Sequence, residues 1–391
     1  MPGKIAESGS IAVDGVSGAT ATSTAIKEAA AAALTAAGLN PDDYKTAVEK
    51  DAAAEDSTVD ADVVVVGAGG AGMTAAITAA AEGKSVVVLE SQSMVGGNSV
   101  RATGGMNAAK TVYQDENEFG ESAGVEKTLK TAAEKYADNE TITALAKTVS
   151  EQWAAYQANP TGYFDSVELM ELDTMIGGKG INDPELVETL CANSADAIDW
   201  LDEHGITLHN VSSFGGASVK RIHRPVNAEG KTVSVGSYMI PLLQENCEKA
   251  GVKMMLDTTA TEIPDRCQRR CRGRQGHRCL SVRPSPSNAK AVVLGYRRLR
   301  RKPRHGRQVQ ARAEGFMTTN APGIQGQGIE MAQAIGAATV DMDQIQIHPT
   351  VEANTAALIT EGPARRRRYP HQRGRQALHR RGRHPRRRLR R

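Results

Sequence analysis

The stretch Asp62–Glu90, DVVVVGAGGAGMTAAITAAAEGKSVVVLE, decides the fold of this chain. A continuous apolar run is followed by a glycine turn, a run of small residues typical of a closely packed helix, a second apolar run and a carboxylate. That order predicts a complete βαβ unit with two parallel strands. The alternative is an ordinary parallel crossover in which the glycines are incidental.

The glycines and the carboxylate of this unit have the spacing of a dinucleotide-binding site. Gly67 permits the tight turn after the first strand, and Gly72 lets the helix pack closely against it. Between them, Gly69 and Gly70 let the backbone approach a diphosphate, which the free amides and the dipole of the helix N-terminus attract. Glu90, at the end of the second strand, can accept hydrogen bonds from the ribose hydroxyls of an adenosine.

A second glycine-rich segment follows directly and indicates which dinucleotide is bound. Residues Met94–Ala109 read MVGGNSVRATGGMNAA, where a nicotinamide-binding unit would usually enter another helix. A second backbone segment held close to a large cofactor favours FAD, and the alternative is a flexible surface loop. The candidate cofactor-binding residues are Gly96, Gly97 and Asn98 by the diphosphate, and Thr103, Gly104, Gly105 and Met106 along the flavin.

Length and composition exclude a disordered, collagenous or small disulfide-bonded protein, since the 391 residues are 40% hydrophobic and 24% charged. The charge is unevenly distributed, however. Residues 1–263 hold 18 basic and 38 acidic side chains, whereas residues 264–391 hold 30 and 7. Of the 31 arginines, 28 lie in the second part, chiefly in blocks 264–287, 296–313 and 363–391 that contain almost no lysine. We interpret these blocks as translation in a shifted frame. An arginine-rich anion-binding protein, for example one that binds RNA, is the alternative.

No run reaches the roughly 18 apolar residues of a membrane helix, and the N-terminus lacks the apolar core of a signal peptide. The compartment is therefore left open. Cys267, Cys271 and Cys279 near His277 have the residue types of a zinc site, but they lie in an arginine block and we predict no metal site. Cys191 and Cys247 lie in helical patterns and are expected in the core, in the manner of small apolar residues.

Residues 111–210 are mostly helical in pattern. A helix is predicted to begin after Asp183 with Pro184 as its first residue and to run to Gly205. Further helices are expected over Ser23–Ala37, with Ser23 or Thr24 as N-cap, over Lys127–Tyr136 and over Ser237–Gly251, and a buried strand over Asn288–Leu294. The expected core residues are Trp153, Leu190, Trp200 and Leu201.

The segments VGGNS and ATGGMNAA resemble the flavoprotein subunit of the succinate dehydrogenase and fumarate reductase family, in particular its flavocytochrome-c-like fumarate reductases. Ala217–Gly236, Gly315–Asp343 and Gln346–Glu361 are similar to three further segments of that family. The resemblance implies an α/β fold, a Rossmann-like FAD-binding domain with a parallel sheet and added helices, followed by an incomplete capping domain.

The resemblance also implies an activity, hydride transfer from reduced FAD to a fumarate-like 2-enoate, with urocanate as an alternative substrate. His348 and Thr360 would hold a substrate carboxylate, and Glu361 would belong to the proton-delivery path. Considered without the resemblance, His348 fits a structural loop histidine and the other two an ordinary strand end. Arg221, His223 and Arg224 are the clustered cations of the acidic part, suited either to an anionic ligand or to surface salt bridges.

This chain departs from the family pattern at two places. Gly295-Tyr296-Arg297-Arg298 stands where the family has a glycine turn that contacts the cofactor. The arginine-rich sequence after Gly362 matches neither the capping domain nor its proton-donating arginine. We therefore expect impaired activity and name no general acid. The expected partners are a dicarboxylate substrate, an unidentified electron donor and a membrane-associated electron-transfer partner, with no nucleic acid.

The N-terminal segment Asp14–Ser23, DGVSGATATS, resembles the flavinylation motif of FMN-binding domains, in which Thr20 would carry covalent FMN. A turn that caps the following helix explains the same residues. The predicted domains are an FMN-domain remnant over 1–50, an FAD-binding domain over 60–345, the start of a capping domain over 346–362 and an unrelated tail over 363–391.

Overall fold

The computed structural model describes residues 5–6, 8–13, 20–45, 57–213, 215–263, 271–275, 278–284, 291–295, 317–321, 323–342, 348, 351–352 and 358. Contacts divide the chain into two compact units, residues 1–98 with 247–391 and residues 99–246. The predictions that concern Thr360, Glu361 and the arginine blocks 296–313 and 363–391 lie outside the described residues.

The elements follow one another as a mixed α/β chain. In chain order they are α1 (Thr20–Ala36), β1 (Ser57–Ala61), β2 (Val63–Val66), α2 (Gly70–Ala81), β3 (Val86–Leu89), β4 (Met106–Asn107), α3 (Val112–Asp115), α4 (Ser122–Lys135), α5 (Glu140–Ala158), α6 (Val167–Gly177), α7 (Pro184–Ala192), α8 (Ser194–Glu203), β5 (Asn210–Ser212), β6 (Ile222–Arg224), α9 (Val235–Lys249), β7 (Lys253–Met255), β8 (Thr258–Glu262), β9 (Cys271–Gln275), β10 (Arg278–Pro284), β11 (Ala291–Leu294) and α10 (Gln327–Ala334).

The first unit is built on a parallel sheet with the strand order β11-β2-β3-β7. Strands β2 and β3 pair from Val63 opposite Val86 to Val66 opposite Leu89. Their side chains are almost entirely buried, as expected for central strands of a parallel sheet. Helix α2 connects the two strands and buries its small and apolar side, which includes Met73 and Ile77. The predicted βαβ unit is thereby confirmed.

A second sheet in this unit has the order β1-β10-β9-β8. Strands β9 and β10 lie within the first arginine block and pair antiparallel, Cys279 opposite Arg274. The sequence did not predict these strands. Two strands pair through hydrogen bonds between backbone amides and carbonyls. They can therefore form where the sequence lacks the alternation of apolar and polar residues by which a strand is recognised.

The second unit has its own helical core. Helices α4 to α7 enclose a cluster of buried residues that includes Val125, Ile142, Trp153, Leu169 and Met175. A three-stranded antiparallel sheet of order β4-β6-β5 belongs to the same unit. Among the described residues, no helix is long and apolar enough to cross a membrane.

Several predicted boundaries differ from the structure. Helix α1 begins at Thr20 rather than after Ser23, because no residue between them breaks a helix. The helix from Pro184 begins as predicted, with the Asp183 carboxylate accepting amide hydrogen bonds, but it ends at Ala192. There the Asn193 side chain donates to the Thr189 carbonyl at 2.7 Å, which competes with continuation of the helix.

Two burial predictions were wrong, and four core positions were predicted correctly. Leu190 is 62% exposed, because α7 buries the opposite side through Val187 and Cys191. Strand β11 is exposed at Ala291 and Val292, since it lies at the edge of the described sheet. The predicted core positions of Trp153, Leu201, Cys191 and Cys247 are confirmed, and Trp200 is half-buried against the His204 ring.

Candidate functional site

The glycine turn after β2 has the geometry of a diphosphate cradle. Gly67 has φ of +103°, a left-handed region in which a side chain would be strained, and its amide donates to the Leu89 carbonyl at 2.7 Å. A Cβ at Gly72 would collide with the Gly67 carbonyl. Gly69 is the N-cap of α2 and supplies no side chain to cap it. No N-cap side chain therefore stands between the first turn of α2 and an anion, which the positive end of the helix dipole attracts.

Glu90 is held in place by the same turn. Its Oε2 accepts a hydrogen bond from the Ala68 amide at 3.0 Å, and its Oε1 accepts from the Gln92 amide at 2.9 Å and the Ser91 hydroxyl at 3.2 Å. A carboxylate has about four acceptor positions, so one on Oε2 remains for a ligand hydroxyl. The ribose-binding role predicted for Glu90 fits this geometry.

The second glycine segment lies against the first. The Gly96 amide donates to the Ala68 carbonyl at 2.7 Å, and Gly96 and Gly97 both have positive φ. The Asn98 side chain donates to Asn320 Oδ1 at 2.6 Å and accepts from the Ala321 amide at 2.7 Å. Asn98 therefore ties the glycine segment to residues 317–321, and its two polar atoms already have protein partners.

Two further glycines also shape this region: Gly295, which begins the segment that departs from the family pattern, and Gly323, to which the motif analysis gave no role. A Cβ at Gly295, directly after β11, would lie 3.0 Å from both the Gly67 carbonyl oxygen and Gly72 Cα. A Cβ at Gly323 would lie 2.7 Å from Gln92 Cδ. The sequence feature that could have indicated this packing of Gly295 is its position directly after an apolar strand. Gly323 offered none, because Gln92 is distant in sequence.

The residues of this cradle fit FAD. Close backbone approach at Gly67 and Gly72, a helix N-terminus without a side-chain cap and a fixed carboxylate at Glu90 match a diphosphate followed by a ribose. All of these groups lie in the first unit. When bound, FAD supplies two-electron chemistry that side chains alone do not.

In the second unit, the predicted flavin-facing residues Thr103–Met106 lead into β4. Strand β4 pairs with β6, Met106 opposite His223. Gly105 lies so close to β6 that a Cβ there would collide with the His223 carbonyl. The requirement for glycine at this position is thus explained by its own sheet.

The interpretation of Arg221 as a ligand-binding or surface cation was wrong. It is 2% exposed and pairs with Asp165 and Asp173, each at 2.6 Å. These carboxylates raise the pKa of the guanidinium despite the opposing effect of burial. Because both carboxylates already compensate the guanidinium charge inside the core, Arg221 is not available to a ligand.

His223 is also fully buried, and both ring nitrogens have partners. Nδ1 lies 2.8 Å from the Arg221 carbonyl, to which it donates, and Nε2 lies 2.7 Å from the Thr111 hydroxyl. Burial lowers the pKa of the imidazole, outweighing the hydrogen bonds to backbone carbonyls. A neutral histidine with this tautomer is therefore a structural residue of the β4–β6 region.

The remaining predicted site residues are only partly visible. His348 is half-buried and is described without its neighbours in sequence. Thr20 begins α1, and its side chain lies outside the description. The same holds for the side chains of Cys271 and Cys279. Within the described ranges, no group of three or more His, Cys, Asp or Glu could hold a metal ion.

The parallel sheet, the glycine cradle and the anchored carboxylate define an α/β dinucleotide-binding flavoprotein. A family model described as an FAD binding domain matches residues 62–164 and 152–367. The chain belongs to this family, and within it to the fumarate reductase and succinate dehydrogenase flavoproteins.

Individual relatives agree with this assignment. The chain is 33% identical to the NADH:fumarate oxidoreductase of Klebsiella pneumoniae over 361 residues, 89% of this chain and 32% of that protein. It is 31% identical to the urocanate reductase of Eggerthella lenta over 366 residues, 90% of this chain and 51% of that protein. The open conformation of a flavocytochrome c3 fumarate reductase superposes with a TM-score of 0.60 at 26% identity, covering 82% of this chain and 50% of that one. The chain thus spans about a third to a half of the length of these proteins.

Proposed function

We propose that this chain is the FAD-binding part of a fumarate reductase-like oxidoreductase that reduces a fumarate-like 2-enoate by two electrons. The observation that carries the proposal is the cradle of Gly67, Gly72 and Glu90. The Ala68–Gly96 hydrogen bond joins it to the second glycine segment. The likeness to an NADH:fumarate oxidoreductase and a flavocytochrome c3 fumarate reductase supports the choice of substrate.

Within this proposal, the cofactor is held by residues of both glycine segments. Bound FAD would supply the hydride-transfer chemistry for one alkene carbon of the substrate, and a proton would have to reach the other. Gly67, Gly69, Gly70 and Gly72 bind the diphosphate, and Glu90 binds the ribose. The further cofactor-contacting residues are Gly96, Gly97, Asn98, Thr103, Gly104, Gly105 and Met106.

The substrate roles rest on the family resemblance. His348 and Thr360 orient one carboxylate of the substrate, and Glu361 passes a proton toward the carbon that does not receive the hydride. Positioned donors and cations near the carboxylate stabilise the negative charge that develops on it during the transfer. His348 is half-buried, a position compatible with this role.

A second flavin is proposed at the N-terminus. Thr20, at the start of α1, would carry covalent FMN if residues 1–50 belong to an FMN-binding domain. We also propose an FAD-binding domain over 60–345, the start of a capping domain over 346–362 and an unrelated tail over 363–391. A dicarboxylate is the proposed small-molecule partner. An electron donor, membrane-associated in our proposal, is required to reduce the FAD.

We further propose that the arginine blocks are products of a shifted reading frame, because 28 of the 31 arginines follow residue 263. The chain as printed is then expected to bind FAD weakly and to turn over no substrate. Shifting the reading frame of the gene after Ile263, Leu294 and Gly362 is expected to restore an amino-acid sequence similar to that of the family.

The test compares the printed chain with the frame-corrected chain. Flavin absorbance after titration with FAD reports binding, and oxidation of a reduced viologen by fumarate reports activity. Turnover by the frame-corrected chain, with none by the printed chain, supports both the proposed reductase activity and the shifted reading frame. Turnover by the printed chain contradicts the frame interpretation, and no FAD binding by either chain contradicts the cofactor assignment.

One other substrate is favoured by a specific observation, the identity with a urocanate reductase. The same viologen assay with urocanate separates the two enoates. The arginine blocks favour an alternative of another class, an anion-binding protein. A colourless protein that binds RNA with a steep salt dependence would support that class.

A further inference from the structure

Helix α7 and the loop before it present large apolar side chains to solvent. Leu186 is 69% exposed and Leu190 is 62% exposed. The two leucines lie one helical turn apart and are therefore neighbours on the helix surface. Ile181, which precedes the Asp183 N-cap in the loop, is 87% exposed. Exposed apolar side chains bordered by polar residues are typical of protein–protein interaction sites.

The packing of α7 in the second unit does not involve these side chains. The helix is anchored by Val187 and Cys191, which belong to the buried cluster of that unit. Among the described residues, none covers most of the surface of Leu186 or Leu190. The two leucines are therefore available to a partner without any change in the core.

The sequence around these residues is strongly acidic. Between Lys179 and Lys220 there is no lysine or arginine, whereas there are seven aspartate and glutamate residues. Six of the seven are exposed: Asp183, Glu185, Glu188, Asp196, Asp199 and Glu203. Within the described ranges, none of these six forms an ion pair. We call the set Ile181, Asp183, Glu185, Leu186, Glu188 and Leu190 the α7 surface.

A carboxyl group next to α7 responds to this excess of negative charge. Burial raises the pKa of Glu171 on α6, and the negative charges of Glu188 and Glu168 raise it further. Like charges therefore oppose one another at this side of the unit. A cationic partner would reduce that repulsion.

Charge and apolar side chains together restrict the partner. Carboxylates repel an anionic lipid surface and a nucleic acid. A second copy of the chain that used the same surface would place the acidic side chains against each other. A helix with apolar residues at a spacing of three and four positions, and with lysine or arginine beside them, complements both features.

We propose that the α7 surface binds a basic amphipathic helix of a partner protein. The apolar side of that helix covers Leu186 and Leu190, and its basic side chains lie near Glu185 and Glu188. This inference goes beyond the proposed reductase activity and does not depend on it.

The experiment measures binding of a fluorescein-labelled amphipathic peptide of leucine and lysine to the full chain by fluorescence anisotropy. The peptide has about 18 residues, enough to form a helix. A peptide of the same composition in scrambled order has no apolar side and is expected to bind about tenfold more weakly. This comparison separates recognition of an amphipathic helix from attraction of any basic peptide.

The apolar contact is tested by Leu186→Gln combined with Leu190→Gln. Glutamine retains a good helix propensity, and the variant is expected to bind the amphipathic peptide about tenfold more weakly. Val112→Gln is the matched control, since Val112 on α3 is 63% exposed but lies outside the α7 surface. It should bind as the unaltered chain does. Urea denaturation verifies that each variant retains its fold.

The charges are tested by Glu185→Gln combined with Glu188→Gln. This variant is expected to bind the amphipathic peptide several-fold more weakly at low salt and to show a smaller loss of affinity as salt is added. Glu126→Gln removes an exposed charge from α4 and should change neither quantity.

The remaining outcomes overturn the proposal. Equal affinity for the two peptides, or unchanged affinity in both double variants, would show that the α7 surface does not recognise a basic amphipathic helix. A similar loss in the Val112 and Glu126 controls would assign binding to unspecific attraction. Analytical ultracentrifugation of the chain without peptide tests the other occupant. A dimer that dissociates in the double leucine variant would assign the α7 surface to a second copy.

Discussion

The Ala68 amide donates to Glu90 Oε2 across 3.0 Å, which joins the turn after β2 to the end of β3. The same carboxylate accepts the Gln92 amide through its other oxygen. Both oxygens are therefore needed as acceptors, and the orientation of Glu90 is determined by the backbone on both sides. This arrangement couples the turn for which we propose diphosphate binding to the side chain for which we propose ribose binding.

Glu90→Gln is expected to be more harmful than its similar size suggests. The amide NH₂ would face one of the backbone N–H donors, leaving a buried donor without an acceptor at a cost of about 1–3 kcal/mol. We expect a lower free energy of unfolding and a weaker affinity for FAD, measured by urea denaturation and flavin titration. Equal stability and affinity in the two proteins would contradict the hydrogen-bonding pattern.

Gly72→Ala is expected to destabilise the first unit, because its Cβ would overlap the Gly67 carbonyl. Overpacking of this kind costs about 1–3 kcal/mol. Gly177→Ala is the matched control, since no atom lies within 4 Å of the added Cβ at the end of α6. The control should lose no stability in urea denaturation. If both variants were equally stable, Gly72 would not be required for close packing.

Removing the buried cation of the second unit should be far more harmful than removing an exposed one. Arg221→Met would leave the carboxylates of Asp165 and Asp173 buried without their counter-ion, at a cost of about 3–5 kcal/mol. Lys130→Met removes half of an exposed pair with Glu134, 3.7 Å apart, and should have no measurable effect. Thermal and urea unfolding compare the two. Similar losses would show that the Arg221 cluster contributes no more than a surface pair.

Stability should decrease as the pH falls below the ordinary histidine pKa of about 6.5. Burial lowers the pKa of His223 in the folded chain, so protons bind more readily to the unfolded state and the stabilisation by the neutral ring is complete only above that value. Asp165 and Asp202 raise the pKa but do not offset burial. The measurement is urea denaturation between about pH 7.5 and 5.5, a range that excludes most carboxylate titration.

His223→Gln is the control for this pH dependence. The amide retains the hydrogen-bonding capacity toward Thr111 and the Arg221 carbonyl but does not titrate. Its stability should therefore change less over the same pH range. An unaltered slope in this variant would assign the pH dependence to another group.

The pattern of the chain was sufficient for its central elements. Strands β2 and β3 are continuous apolar runs, and α2 is a run of small residues between two glycines. A few neighbouring residues are therefore enough to recognise each element as a strand or a helix. Pro184 after Asp183 located a helix start for the same reason. In contrast, Leu186, Val187, Leu190 and Cys191 allow either side of α7 to be apolar. Only packing showed that the side of Val187 and Cys191 is buried.

The order of residues along the chain was sufficient to predict the cradle. Gly67 and Gly72 act through the backbone of one turn, and the Glu90 carboxylate follows at the end of the next strand. Contacts between distant positions had to be seen in the folded chain. They showed that Arg221, for which the sequence left a ligand or a surface salt bridge open, forms a core ion pair with Asp165. They also joined Asn98 to Asn320 over 222 residues. Spacing in sequence carries no information about such pairs, since the charge or amide that satisfies each group is brought to it only by folding.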